Sequence, residues 1–402
     1  MLGYLVVAAV AALVTFACTP LVKTAATKIG AVAMPGARNV HLRPTPTLGG
    51  AAMFVGFLVA MGVASQVPQF HEMFDASSEP IGIVVAAGLM FAVGALDDLR
   101  DVSPPAKLAG QVFSGGVLSL FGVTMLYFRV PFLSSEYVVL SADLAPLVTV
   151  VAVVVIANAI NLIDGLDGLA AGVTLIASGA MFVYSDRLFK AGLLEGSNTA
   201  PLIAMITIGI CAGFLPWNFN PARIFMGDAG ALFLGLLLAC QTITIGGRTS
   251  DQFSGQTYFF FAPLLIPLVI LGVPIVDTVF SFVRRLARGK SFAVADNDHL
   301  HHRLMRLGHG PRRSVVILWM WTALLSGLVL VPTFTGAGNA FVPLGIVALA
   351  LVLYGYFAPG RRSAELAVDG AAEVAEVTSG HAVSAGSESA EVVDLESRRK
   401  SG

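Results

Sequence analysis

The stretch that decides the fold is Asn158-Ala-Ile-Asn-Leu-Ile-Asp164-Gly-Leu-Asp167-Gly-Leu-Ala-Ala-Gly172, in which two amides and two carboxylates recur every third residue directly after an unbroken apolar run. An Asp facing lipid at mid-bilayer costs roughly 3 kcal/mol on insertion scales, so acids inside a membrane-like segment mark a functional site by default. Gly165 and Gly168 let the backbone leave helical geometry. Irregular backbone at that depth is tolerated only where it lines a protein cavity or meets the water interface. The stretch reads as a ligand-binding mouth between two membrane helices.

The rest of the chain agrees with a membrane setting. Of 402 residues, 56% are hydrophobic and only 12% charged, with a mean hydropathy of +0.81, whereas about a quarter of the residues of a soluble domain are charged. The expected fold is an all-α polytopic membrane protein. About eleven spans are expected, near residues 1–22, 48–67, 80–96, 107–128, 144–162, 168–185, 201–217, 230–247, 258–283, 313–333 and 340–358. The first has no positive leader and no small-residue cleavage site, so it is expected to be a retained helix. Residues 1–358 form one integral membrane unit. Residues 359–402, which lack aromatics and carry eight acids from Glu365 to Glu396, read as a disordered cytoplasmic tail. Cys18, Cys211 and Cys240 stand singly in apolar segments and read as small core hydrophobes.

Orientation follows from the basic residues, which are retained on the cytoplasmic side. One set of alternate loops holds twenty of the 24 Lys and Arg, and the other holds only Arg129, Arg187, Lys190 and Arg248. The N-terminus is therefore expected outside. All the polar clusters then fall on the cytoplasmic face.

Three further clusters carry chemistry. Asp97-Asp98-Leu-Arg-Asp101 closes the third span, and Pro104-Pro105 with Lys107 and Gln111 opens the fourth. If the helix continues, Asp97 and Asp101 share a face, and such crowded carboxylates suit a hard cation such as Mg²⁺. The bland alternative is a solvated loop with a capping Asp. In Asn218-Phe-Asn220-Pro-Ala-Arg223-Ile-Phe225-Met226-Gly227-Asp228-Ala-Gly230, Asp228 suits a metal, Arg223 phosphate oxygens and Phe225 a stacked base, against the alternative of a glycine-capped polar turn. The basic loop from Arg284 to Arg313 contains Asp296-Asn-Asp298-His299-Leu-His301-His302-Arg303, which suits an anion beside the membrane better than zinc, since no cysteine or second ligand pair stands nearby. Asp277 lies on the face that leads to this basic cluster. The first loop adds Arg38, His41, Arg43, Pro44-Thr45-Pro46-Thr47 and Gly49-Gly50. GxxxxGK[ST] and GxGxxG phosphate loops are missing, which sets aside an ATP-driven pump and a dinucleotide enzyme. No nucleic-acid partner is expected.

With these residues assembled, the chain resembles the polyprenyl-phosphate N-acetylhexosamine-1-phosphate transferase family over about residues 35–310. The pieces are Pro44-Thr-Pro with Gly49-Gly50, Asp97-Asp98 with Asp101 and Ser103-Pro104, Asn158 to Gly168, Pro221-Ala-Arg-Ile-Phe-Met-Gly-Asp228, and His299-Leu-His-His302. The resemblance implies transfer of a sugar-1-phosphate from a UDP-sugar to polyprenyl phosphate with release of UMP, in a bacterial plasma membrane. It implies Mg²⁺, with Mn²⁺ as an alternative, on Asp228 and Asp98. Asp97, Asp98, Asp228, His299, His301 and His302 would be catalytic. Thr45, Lys107, Asn158, Asn161, Leu162, Asp164, Asp167, Asn220, Arg223, Phe225 and Arg303 would bind substrates. The His-x-His-His-Arg form resembles the branch that uses UDP-N-acetylglucosamine, whereas the muramyl-pentapeptide branch tends to Pro-x-His-His-His. Ala231 stands where the family commonly has serine. A homodimer is expected by analogy. An ion-coupled transporter, the competing class, should place acids at mid-span and not along one edge.

Overall fold

A computed structural model describes residues 1–34, 44–128, 138–246, 310–335 and 345–348. The described chain is helical apart from two short antiparallel pairs, Val32–Ala33 (β1) with Thr45–Pro46 (β2) and Tyr127–Phe128 (β3) with Val138–Val139 (β4). The long helices are α1 (Leu2–Ile29), α2 (Gly50–Ala64), α4 (Glu79–Arg100), α5 (Pro104–Leu120), α6 (Leu144–Ile163), α7 (Leu169–Lys190), α8 (Ala200–Asn218), α9 (Gly227–Gly246) and α10 (Pro311–Thr335), with a short α3 (His71–Ala76). Six of them are long and apolar enough to cross a membrane, namely α1, α4, α6, α7, α8 and α9. The expected spans 258–283 and 340–358 fall outside the described residues, except 345–348, and so does the tail from 359.

The helices sort by how much of each faces outward. In α9 the apolar residues lie on every side, and 94% of its apolar window is buried, against 22% in α1. A helix apolar all round belongs at the centre of a bundle. It packs against α2, α4, α6, α7 and α8, while α1 lies outside against α2 and α8, and α10 packs on α7. Leu2, Leu5, Leu13 and Leu21 of α1, and Leu144, Leu147, Val151 and Val155 of α6, form outward apolar stripes, as expected where lipid is the solvent.

Several helix ends differ from the expected spans, each for a local reason. The fourth span was expected to run to 128, but α5 stops at Leu120 because the chain turns at Gly122, whose φ of +96° is open to glycine. The sixth was expected to end at 185; α7 runs on to Lys190, where a lysine–aspartate pair with Asp186, 2.7 Å at i,i+4, supports the last turn. The second span is a fifteen-residue helix, and the chain then bends by 89° into Pro68–Ala76.

The C-terminal ends of α4, α6 and α8 meet the N-terminal ends of α5, α7, α9 and α10 at one end of the bundle. Asp97, Asp98, Lys107, Asp164, Asp167, Asn220 and Asp228 lie at that end.

Candidate active site

The acids at the end of α4 are held by two neighbouring helices. Asp97 Oδ1 accepts the Val102 N–H at 2.8 Å, and its Oδ2 accepts Lys107 Nζ at 2.9 Å. Lys107 sits in the first turn of α5, where Pro104 and Pro105 pre-set the helical φ. Its ammonium also pairs with Asp228, so one cation bridges two carboxylates from α4 and α9. Asp101 does not share the Asp97 face. The helix ends at Arg100, and Asp101 takes a left-handed φ of +47° and is exposed.

Asp98 caps a helix that begins 129 residues later in the chain. Its two oxygens accept the N–H groups of Asp228 at 2.9 Å and Ala229 at 3.1 Å, which satisfies donors that an α-helix leaves free at its N-terminus. A carboxylate there is also favoured by the helix dipole. This cap explains why α9 starts at Gly227, three residues before the expected span. Two glycines make it possible. A Cβ on Gly94 would run into the Asp228 carbonyl, and one on Gly227, whose φ is +70°, would run into the Asp98 carboxyl and the Thr47 hydroxyl.

The turn between α6 and α7 forms as its glycines imply, with Gly168 at φ +79°. The Gly168 N–H donates to Asn218 Oδ1 at 3.0 Å, and Asn218 Nδ2 donates to the Ile224 carbonyl at 3.0 Å, so one buried amide ties this turn to the 219–226 loop. Asp167 joins the same seam, its Oδ2 accepting Asn220 Nδ2 at 2.8 Å and the Ala222 N–H at 3.0 Å. Asn158 stands in the last two turns of α6. It exchanges amide hydrogen bonds with Gln111 of α5 and donates to the Val154 carbonyl, so it joins α5 to α6. Asn161 and Leu162 are half-buried at the end of α6.

The 219–226 loop is pinned from both sides. The Phe225 N–H donates to the Pro46 carbonyl at 2.9 Å, and the Phe225 and Met226 carbonyls accept the N–H groups of Gly49 and Gly50. This continues the β1–β2 pair and leaves Thr45 buried and Phe225 half-buried. The exposed Arg223 lies with its guanidinium 5.7 Å from the Trp217 ring centroid, a cation–π contact. Arg312 of α10 donates from Nε to the Asn220 carbonyl at 2.9 Å. His299, His301, His302 and Arg303 lie outside the described residues, as do Arg38, His41, Arg43 and Asp277.

Asp97, Asp98, Asp164, Asp167 and Asp228 therefore gather with Lys107, five carboxylates and one ammonium. Asp164, in the α6–α7 turn, donates its backbone N–H to the Asn161 carbonyl at 3.3 Å. Burial, and then the charges of Asp228, Asp98 and Asp167, hold its carboxyl well above the usual carboxylate range. An excess of acid of this kind calls for a cation. No three described His, Cys, Asp or Glu side chains converge into a ready metal cage. The donors gathered here are carboxylate oxygens, the ligand type that a hard cation such as Mg²⁺ takes.

Asn218, Gln111, Gly227 and Arg312 were not singled out as site residues from sequence. A paired Asn-x-Asn before proline was the available signal for Asn218; for Arg312 there was only its place in a basic loop.

Comparison with known proteins places this geometry in a family. A model of glycosyl transferase family 4 matches residues 80–246, which is the segment from α4 through α9. The decaprenyl-phosphate N-acetylglucosaminephosphotransferase of Mycolicibacterium smegmatis is 35% identical over 351 residues, covering 85% of each chain. The chain belongs to glycosyl transferase family 4. The decaprenyl-phosphate N-acetylglucosaminephosphotransferase of Mycobacterium tuberculosis strain H37Rv is 36% identical over 344 residues, again 85% of each chain. A probable undecaprenyl-phosphate N-acetylglucosaminyl 1-phosphate transferase of Bacillus subtilis is 36% identical over 318 residues, 79% of this chain and 81% of the relative. All five carboxylates and Lys107 lie within the segment that the family 4 model matches.

Proposed function

We propose that the protein transfers N-acetylglucosamine-1-phosphate from UDP-N-acetylglucosamine to polyprenyl phosphate, giving polyprenyl-diphosphate-N-acetylglucosamine and UMP. The observation that carries this reading is the juxtaposition of Asp97, Asp98, Lys107 and Asp228 at one end of a membrane bundle, in a chain whose similar relatives bear that activity in their names. The same reading puts the site on the cytoplasmic face of a bacterial plasma membrane, where a soluble nucleotide sugar meets a lipid phosphate.

In this reaction an oxygen of the lipid phosphate bonds to the β-phosphorus of the UDP-sugar. The bond from that phosphorus to the oxygen bridging to the α-phosphate breaks, and UMP leaves with that oxygen. Phosphoryl transfer is catalysed mainly by positioning and charge neutralisation. Lys107, already placed between two carboxylates, supplies a cation for phosphate oxygens. Asp228 and Asp98 would hold Mg²⁺, with Mn²⁺ as a substitute; the ion would neutralise charge on the diphosphate. A phosphate monoester with a second pKa near ~6 is mostly dianionic at neutral pH, so the acids need not remove a proton from it. Asp98 holds the N-terminus of α9, and Asp97 holds Lys107. Phe225, with its backbone fixed between the first loop and α9, offers a ring for the uracil.

The test is UMP release by the purified protein in detergent, given polyprenyl phosphate, Mg²⁺ and either UDP-N-acetylglucosamine or UDP-N-acetylmuramyl-pentapeptide. Release with the first donor alone, abolished by EDTA, is the expected result. Release with the second alone would reassign the donor.

A further inference from the structure

The N-terminus of α10 closes the loop on which the donor depends. From Arg312 the Nε–H reaches the Asn220 carbonyl at 2.9 Å, across 92 residues of chain. The same Asn220 donates from its side chain to Asp167, which also accepts the Ala222 N–H. Two residues earlier, at the last position of α8, Asn218 links Gly168 to Ile224. The loop is thus held from below by the α6–α7 turn and from above by Arg312. Farther along α10, Trp319 presses its indole on Gly172 of α7 so closely that a Cβ there would overlap it, and its ring lies 5.7 Å from that of Phe219. α10 therefore grips α7 and the loop together.

We infer that Arg312 is a positioning residue for the uridine nucleotide, acting through the Asn220 carbonyl to hold Asn220 and the 219–222 start of the loop in place. This rests on the function proposed above. Arg312 is exposed, so its side chain contributes nothing to the apolar core. A guanidinium has five N–H donors in a planar fork, and among the described residues one of them goes to the Asn220 carbonyl. The Phe225–Met226 end of the loop is tied to Pro46, Gly49 and Gly50, and the Asn220 end to Asp167 and Arg312, so losing Arg312 loosens the Asn220 end alone. The consequence falls on nucleotide affinity and spares the acid–lysine cluster, which α4, α5 and α9 hold independently of α10.

The experiment compares Arg312→Met, Arg312→Lys and Arg313→Met with the parent protein in the same detergent, measuring UMP binding by calorimetry and steady-state UMP release. Arg313 is the exposed neighbour, so its variant removes the same charge without touching the Asn220 contact. Arg312→Met is expected to weaken UMP binding and raise KM for the UDP-sugar about tenfold, a change of about 1.4 kcal/mol. Its kcat and its KM for polyprenyl phosphate are expected to stay within about twofold. Arg312→Lys, which keeps a donor, is expected to recover part of the loss, and Arg313→Met to match the parent. Equal losses in the Arg312→Met and Arg313→Met variants would overturn the inference in favour of general attraction of an anion, and unchanged UMP affinity in Arg312→Met would overturn it outright. A parent protein that binds no uridine nucleotide would instead overturn the proposed function.

Discussion

At the scale of single residues, Asp228 and Gly227 carry the sharpest expectations. Asp228→Asn keeps the shape of the side chain and loses the charge that pairs with Lys107 and would hold a cation, so turnover should fall by about 10²–10³-fold or more. Thermal unfolding in detergent should show the variant folded; turnover close to that of the parent would remove Asp228 from the chemistry. Gly227→Ala acts on the backbone. A left-handed φ costs an L-residue about 1–2 kcal/mol, and here the methyl also meets the Asp98 carboxyl that caps α9. A lower unfolding midpoint together with lost turnover is expected, and an unchanged midpoint would show that the cap can shift at little cost. The charges at these positions were legible in the sequence because acids beside apolar runs need a reason. The cap itself was not, since Asp98 and the N–H groups it accepts lie 130 residues apart and nothing local pairs them.

At the scale of elements, the α6–α7 turn shows both sides of that lesson. Its break from helical geometry was readable from Gly165 and Gly168, which resist a continuous helix. The bond between Asn158 and Gln111 was not, because the two amides sit on different helices and nothing local pairs them. Helix ends were legible only where a local signal existed: Pro104-Pro105 marks the start of α5, whereas the start of α9 depends on Asp98. Asn218→Ala should loosen the seam between turn and loop, leaving the Gly168 N–H and the Ile224 carbonyl without their buried partner at about 1–3 kcal/mol each. Faster amide exchange at residues 164–168 and 219–226, with the rest of the bundle unaffected, is the expected signature.

The Asp164 carboxyl gives the same turn a pH dependence. Its value in the folded protein is raised, so the stability it contributes is complete below the ordinary carboxyl range near ~4 and is lost as pH rises through the folded value. Asp164→Asn should therefore outlast the parent on heating at alkaline pH in the presence of EDTA, with the difference shrinking as the pH falls towards ~4. A variant less stable than the parent at every pH would mean that the ionised carboxylate is held by a favourable partner.

At the scale of the whole molecule, the bundle separates two tasks. Outward apolar faces on α1 and α6 meet lipid, while the buried α9 carries Asp228 on its first turn and is fixed by α4 at that end. The membrane class was legible from composition alone, and six of the expected spans are long apolar helices. Which helix sits at the centre was not, because α9 is less apolar than its neighbours α4, α6 and α8 and only packing ranks them. On the proposed function, the arrangement commits the chemistry to one membrane edge, where a water-soluble donor and a lipid acceptor can meet without either crossing.

That commitment is tested most directly by the lipid product. Protein reconstituted in vesicles with polyprenyl phosphate, Mg²⁺ and UDP-N-acetylglucosamine should yield polyprenyl-diphosphate-N-acetylglucosamine by mass spectrometry, with one UMP for each lipid product. A polyprenyl-monophosphate sugar with release of UDP would mean attack at the sugar carbon instead of the β-phosphorus, and would contradict the account.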